Sequence, residues 1–189
     1  MRHFISGMLL ATVLFIAAES CTHQRDASAS SEISPDSLVK RGDYLVTIMG
    51  CDDCHSTKKM GPSGPEIDLN FRFGGHIAGS PVPPVPDSAG KNGWVMMSMD
   101  LTMAIGPWGT SYAANISPHE NGIGNWTEEQ FITALRKGKQ KGLEGSRGLL
   151  PPMPWFNYRL LTDTDIKAIF AFLKSSKPVD NIVPAPKAP

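Results

Sequence analysis

Two cysteines three positions apart, with a histidine directly after the second, are the residues of this chain whose spacing most plainly permits chemistry: Cys51-Asp52-Asp53-Cys54-His55. On one turn of chain, two thiols at this spacing can each form a thioether with a vinyl group of a haem. The next residue then lies under the ring, where its imidazole can bind iron. C-x-x-C-H is therefore read as c-type haem attachment. Two other chemistries use Cys-x-x-Cys. A dithiol redox pair wants a strand before it and a helix after it, and here a helical pattern comes first. A zinc site needs further ligands, but there is no second cysteine pair and the other histidines are scattered.

An iron held by His55 has a second axial position to fill. Thioether sulfur opposite imidazole is a common choice in electron carriers and raises the reduction potential. Met153 stands out among nine methionines because it lies in Leu149-Leu150-Pro151-Pro152-Met153-Pro154. Prolines fix φ, so this segment loses little entropy when a weak ligand binds. The rivals are Met96, Met97, Met99 and Met103, for which core packing is the commoner use, and His76 and His119, which would give bis-histidine ligation.

Three helices must position these groups. The first is predicted to begin at Ser34 as N-cap, with Pro35 in first position, and to end near Gly50, at the motif itself. The second begins at Thr127, which has capping-box spacing to Gln130, with Phe131, Ile132 and Leu135 on its apolar side. The third begins at Thr162, with Asp163 and Asp165 suiting its positive end, and Ile166, Ile169, Phe170 and Leu173 recur at helical spacing. Sixteen prolines and eighteen glycines exclude a plain helix bundle. They concentrate between His55 and Asn115, which reads as a long loop with room for short strands, including a hairpin between residues 94–103 and the stretch near Tyr112. Residues 179–189, rich in Pro and Ala, are expected to fray.

The beginning of the chain reads as an address. Phe4–Ala18 is mostly apolar after a mildly basic start, short for a membrane span and suited to a signal peptide over residues 1–20; an uncleaved anchor is the other reading. Ala18-Glu19-Ser20 precedes Cys21, so either ordinary cleavage or lipid attachment at Cys21 fits, with residues 21–33 a polar linker. The expectation is a periplasmic protein tethered to a membrane through lipid on Cys21. Lys plus Arg balances Asp plus Glu at 18 each, which argues against nucleic acid as a partner. The densest basic segment, Arg136, Lys137, Lys139, Lys141 and Arg147, leads towards Met153 and could steer an acidic partner.

The order helix, C-x-x-C-H, long loop, Met and C-terminal helix resembles class I cytochromes c. A closer resemblance runs from residue 106 to 178. It lies in Gly109-Thr110, Ala114-Asn115-Ile116-Ser117-Pro118, Gly122-Ile123-Gly124-Asn125-Trp126-Thr127, Gln130-Phe131, Ala134-Leu135-Arg136, Met153-Pro154, Leu161-Thr162-Asp163 and Ala168-Ile169-Phe170-Ala171-Phe172-Leu173. These motifs resemble the haem domains of cytochrome subunits that serve membrane-bound alcohol, aldehyde and sugar-acid dehydrogenases. The resemblance implies a mainly α, cytochrome c-like domain over residues 34–178 around one covalent haem c, with His55 and Met153 as axial ligands. It also implies a Gly-Pro carbonyl on the proximal histidine, for which Gly64-Pro65 is the first candidate and Gly61-Pro62 the second, and places Asn115 and Trp126 near the haem edge or its propionates. The function implied is single-electron transfer between redox proteins, a dehydrogenase or oxidase among them, rather than catalysis. The alternative is a five-coordinate haem that binds a gas or peroxide. Dehydrogenase subunits of this kind typically carry two or three haem motifs, and this chain has one.

Overall fold

The computed structural model describes residues 33–189. The expected signal peptide, Cys21 and all of the expected linker but Ile33 lie outside the described residues. Among the described residues no helix is long and apolar enough to cross a membrane.

Helix α1 spans Pro35–Ile48, and the Ser34 hydroxyl accepts the Ser37 amide at its start. Its buried face is Gly42, Leu45 and Val46. The helix stops because Gly50 adopts a left-handed φ of 67°, a conformation that costs glycine little. The same glycine caps the next helix, α2 (Cys51–His55), so the haem motif begins one residue after a sharp turn. Helix α3 (Glu128–Lys137) opens with the full Thr127–Gln130 capping box. Helix α4 (Trp155–Tyr158) is a single turn. Helix α5 (Asp163–Ser175) starts with the Thr162 hydroxyl accepting the Asp165 amide.

Helices α1 and α5 cross at Gly42, where a Cβ would lie 2.0 Å from the Ala168 carbonyl oxygen. Only glycine permits that approach. Leu45, Val46, Phe73, Ile123, Phe131, Leu135, Ile166, Ala168, Ile169 and Leu173 form one core, with Cys51, Trp126, Met153 and Tyr158 packed against its rim. Each fully buried large side chain contributes roughly 1.5–3 kcal/mol.

Strands occupy the long loop. Strands β1 (Lys58–Gly61) and β2 (Gly64–Ile67) form a hairpin with Lys58 opposite Ile67. Strands β3 (Met96–Met97), β4 (Met103–Gly106) and β5 (Gly109–Tyr112) make an antiparallel sheet in that order. The β4–β5 hairpin pairs Met103 with Tyr112, so the expected hairpin near Tyr112 is present but starts later than residue 94. The Pro-rich stretch 80–86 is irregular and largely exposed.

The C-terminal residues do not fray. Val179 and Asn181 are buried, and Lys187 exchanges two main-chain bonds with Thr110 at 2.8 and 3.0 Å. Proline lacks a donor, but the bonds here come from residues between the prolines.

Candidate haem site

The one-turn helix α2 presents two thiols, Cys51 and Cys54, both half-buried and without a disulfide partner among the described residues. Burial first, and then the Asp52 charge, pushes the Cys51 thiol up to about 12. Cys54 is raised too, by burial above all. Dithiol redox pairs work through a lowered thiol pKa, so this environment disfavours that chemistry.

The residues between the cysteines are structural anchors. Asp52 is buried and receives both Nε and Nη2 of Arg72, the latter at 2.7 Å. It also accepts the Ser56 hydroxyl at 2.6 Å, and Ser56 Oγ in turn accepts the Phe73 amide at 2.9 Å. At the other end of the turn, the Lys58 ammonium donates to the carbonyls of Asp52, Asp53 and Asp100, where a cation suits the helix C-terminus. Burial pushes the Asp100 carboxyl up, but hydrogen bonds from Ser98, Thr102 and Thr57 outweigh it and hold the group below its ordinary value.

His55 is gripped from two sides. Its Nδ1 lies 2.7 Å from the Ala114 carbonyl, and its own carbonyl accepts the Gly75 amide at 2.8 Å. A carbonyl only accepts, so Nδ1 carries the proton and Nε2 keeps its lone pair. Burial lowers the pKa of the ring, against the opposing effect of Ala114, which favours the neutral form. A neutral imidazole with Nδ1–H on a carbonyl is the arrangement that prepares Nε2 as a metal ligand.

The partner of His55 is therefore not Gly64-Pro65. Residues 61–64 close the β1–β2 hairpin, with Gly61 opposite Gly64 and Pro65 opposite Met60. Pro65 is exposed. Pairing back on β1 commits the segment to the hairpin, and a distant loop supplies the carbonyl instead.

Asn115 follows Ala114 but turns its side chain into the protein. Its Nδ2 donates to the carbonyls of Val179 and Asn181 at 2.8 and 3.1 Å, and its Oδ1 accepts the amide and hydroxyl of Ser117. With both donors and the acceptor spent, it has nothing to offer a propionate directly. Trp126 is half-buried against the core. Met153 packs on the same core rim as Cys51. Leu149, Pro151, Pro152, Met153, Trp155 and Phe156 line an apolar hollow of about 370 Å³, within the usual range for cofactor pockets of roughly 300–1,000 Å³. Two side chains tie this segment down. The Ser111 hydroxyl donates to the Pro151 carbonyl at 2.6 Å, and Tyr158 donates to the Met49 carbonyl at 3.0 Å, two residues before Cys51. The Tyr158 hydroxyl is raised to about 12 by burial, with Cys51 and Cys54 next in effect, so α4 lies within electrostatic reach of the haem motif.

The rivals to Met153 are otherwise employed or solvated. Met99 is 84% exposed, Met96 and Met97 are each 40% exposed, and Met103 is buried within β4. His76 is buried with its Nδ1 2.8 Å from the Thr102 hydroxyl, which itself donates to Asp100, and its ring lies against Tyr112. His119 accepts the Asn121 amide in a turn. Neither the Asp52–Arg72 pair nor the roles of Ser111, Ala114, Tyr158 and Asn181 had any periodic signal in the sequence. The docked tail alone could have been suspected, from the apolar Val179, Ile182 and Val183 at its start.

No family model matches the chain. Among known proteins it is 31% identical over 192 residues to the fructose dehydrogenase cytochrome subunit of Gluconobacter japonicus, covering 99% of this chain and 31% of that protein. It is 31% identical over 177 residues to the cytochrome c subunit of the quinone alcohol dehydrogenase of Gluconobacter oxydans, covering 92% of this chain and 28% of the relative. With the gluconate 2-dehydrogenase cytochrome c subunit of Pantoea cypripedii it shares 31% over 147 residues, 77% of this chain and 25% of the relative. The chain spans about a third or less of the length of these curated relatives.

Proposed function

This chain is a homologue of one part of the cytochrome c subunits of fructose, alcohol and gluconate dehydrogenases, and we propose that it is a single-haem c-type cytochrome that passes single electrons between redox proteins. Haem supplies the one-electron ferrous–ferric couple. Cys51 and Cys54 would hold it by thioethers, and His55 and Met153 would be its axial ligands. The observation that carries the reading is the Ala114 carbonyl on His55 Nδ1, which leaves Nε2 unprotonated beside two protonated thiols.

The chain's own residues would do four things. The Arg72–Asp52–Ser56 network and the Lys58 cap fix α2, and with it the spacing of the thiols. Ala114 fixes the tautomer of His55. Ser111 and Tyr158 tie down the segment that carries Met153. The packed core excludes water, so little has to rearrange when the iron changes charge. With both axial positions filled, no site stays open for a substrate, and the protein is a carrier rather than a catalyst.

The apolar run at Phe4–Ala18 supports export to the periplasm, and Cys21 supports a lipid tether there. The relatives' names support a dehydrogenase as one electron partner. The test is the intact mass and the reduced-minus-oxidised spectrum of protein made with a haem-attachment system. The expected result is a mass increased by one haem and sharp reduced bands unchanged by carbon monoxide. An unshifted mass overturns the proposal; a spectrum that carbon monoxide alters would instead show an open axial position.

A further inference from the structure

Two main-chain segments hold His55. Residues 74–76 supply the Gly75 amide to its carbonyl, and residues 113–117 supply the Ala114 carbonyl to its ring. The segments are joined by the His76 amide, which donates to the Ala113 carbonyl at 3.0 Å. They fit so closely that a Cβ on Gly75 would lie 2.4 Å from the Ala113 oxygen. Beyond that bond, both segments are bound to one strip of chain near the C-terminus. Asn181 donates to the carbonyls of Gly74 at 2.7 Å and His76 at 2.9 Å, and its Oδ1 accepts the Ala78 amide at 3.0 Å. Asn115, next to Ala114, donates to the carbonyls of Val179 and Asn181. The Val179 amide donates to Ser117 Oγ at 3.0 Å.

Two buried primary amides thus use both of their donors each, and all four of those bonds cross between the strip 179–181 and the two segments that grip His55. A satisfied buried amide is rigid, because any shift leaves a polar group unpaired and away from water. On the haem reading above, we infer that Asn181 is a positioning residue for His55: through Gly74, His76 and Asn115 it braces both main-chain segments and so sets the orientation and donor strength of the imidazole. Partners of a ligating histidine orient the ring and raise its basicity. A looser Ala114 bond makes the imidazole a weaker donor, which stabilises ferric iron less and raises the reduction potential.

The experiment compares wild type, Asn181→Leu and Gly42→Ala as purified holoproteins. Leucine fills the space of asparagine without its side-chain bonds to Gly74, His76 and Ala78, and keeps the main-chain carbonyl that accepts from Asn115. Gly42→Ala lowers stability at the α1–α5 crossing and removes none of the hydrogen bonds of the brace. The expected result is that Asn181→Leu raises the potential and shifts the ring-sensitive hyperfine signals of the oxidised protein, while Gly42→Ala moves only the melting temperature. Equal potentials and signals in Asn181→Leu and wild type, with haem attached by mass, overturn the inference and leave the cytochrome reading standing. Absence of haem from wild type overturns that reading instead. Hydrogen exchange of wild type decides if Asn181→Leu does not fold: the amides of Gly75, His76 and Val179 are expected to open together, and independent opening of Gly75 overturns the brace.

Discussion

Met153 is a weak thioether ligand in the proposed site, and its affinity depends on how little freedom its segment has left to lose. Prolines at 151, 152 and 154 and the bonds from Ser111 and Tyr158 remove most of that freedom. Met153→Ala is expected to abolish the near-infrared thioether-to-iron band of the oxidised protein and to lower the potential. The same change at Met99 should do neither, and persistence of the band in Met153→Ala would move the ligand elsewhere. Tyr158→Phe removes one neutral hydrogen bond and should cost about 0.5–1.5 kcal/mol in denaturant unfolding, with some weakening of the same band. At this scale the C-x-x-C-H motif and the proline-framed Met153 stood out as candidates because their spacing and neighbours are local in sequence. The partner of His55 was not, because Ala114 lies 59 residues away and a carbonyl is a property every residue shares. Asn115 shows the same limit: its neighbourhood was found, but the direction of its side chain follows from the tail, 64 and more residues later.

At the scale of elements, the three longer helices α1, α3 and α5 were read closely because each carries its own start signal, whereas the short α2 and α4 have no side-chain cap and were not anticipated. Ser34, Thr127 and Thr162 are the N-caps, and these bonds are made within one turn. The strands were not resolved in advance, since β1 to β5 are at most 4 residues long and exist only by pairing. The α1–α5 crossing gives two predictions. Gly42→Ala places a methyl against the Ala168 carbonyl and should destabilise the fold by about 1–3 kcal/mol or more, as overpacking does, measured by chemical denaturation. Asp165 on α5 accepts Arg41 Nε at 2.9 Å, and that bond, ahead of the other influences, holds its carboxyl below the ordinary value of 3.8. A depressed folded pKa contributes stability that is complete above the ordinary value and is lost as pH falls through the folded one. Asp165→Asn should therefore lower stability near neutral pH and match wild type in strong acid. Arg41 is about half exposed, so the difference should be small, about 0.2–1 kcal/mol at moderate salt.

For the molecule as a whole, charge decides how partners meet. The chain has no net charge, and the basic segment that leads to Met153 is less free than its composition suggests. Arg136 pairs with Asp163 and also donates to the Arg159 carbonyl. Lys137 pairs with Glu144, and Lys139 donates to the Ser146 carbonyl at 3.3 Å. Lys141 and Arg147 are the exposed members of that segment with no acidic side-chain partner among the described residues. Acids that neutralise neighbours weaken the outward field, and what remains is screened within about 8 Å at physiological salt. Steered encounters gain 10- to 1,000-fold and lose it steeply with ionic strength. This protein should show less. Its electron exchange with a small anionic redox reagent is expected to slow by no more than about threefold between low and physiological salt, a margin set below the steered range. Glu144→Gln, by freeing Lys137, should steepen that dependence. Stopped-flow rates across a salt series measure both, and a loss of tenfold or more in wild type would mean that the segment steers despite its internal pairing.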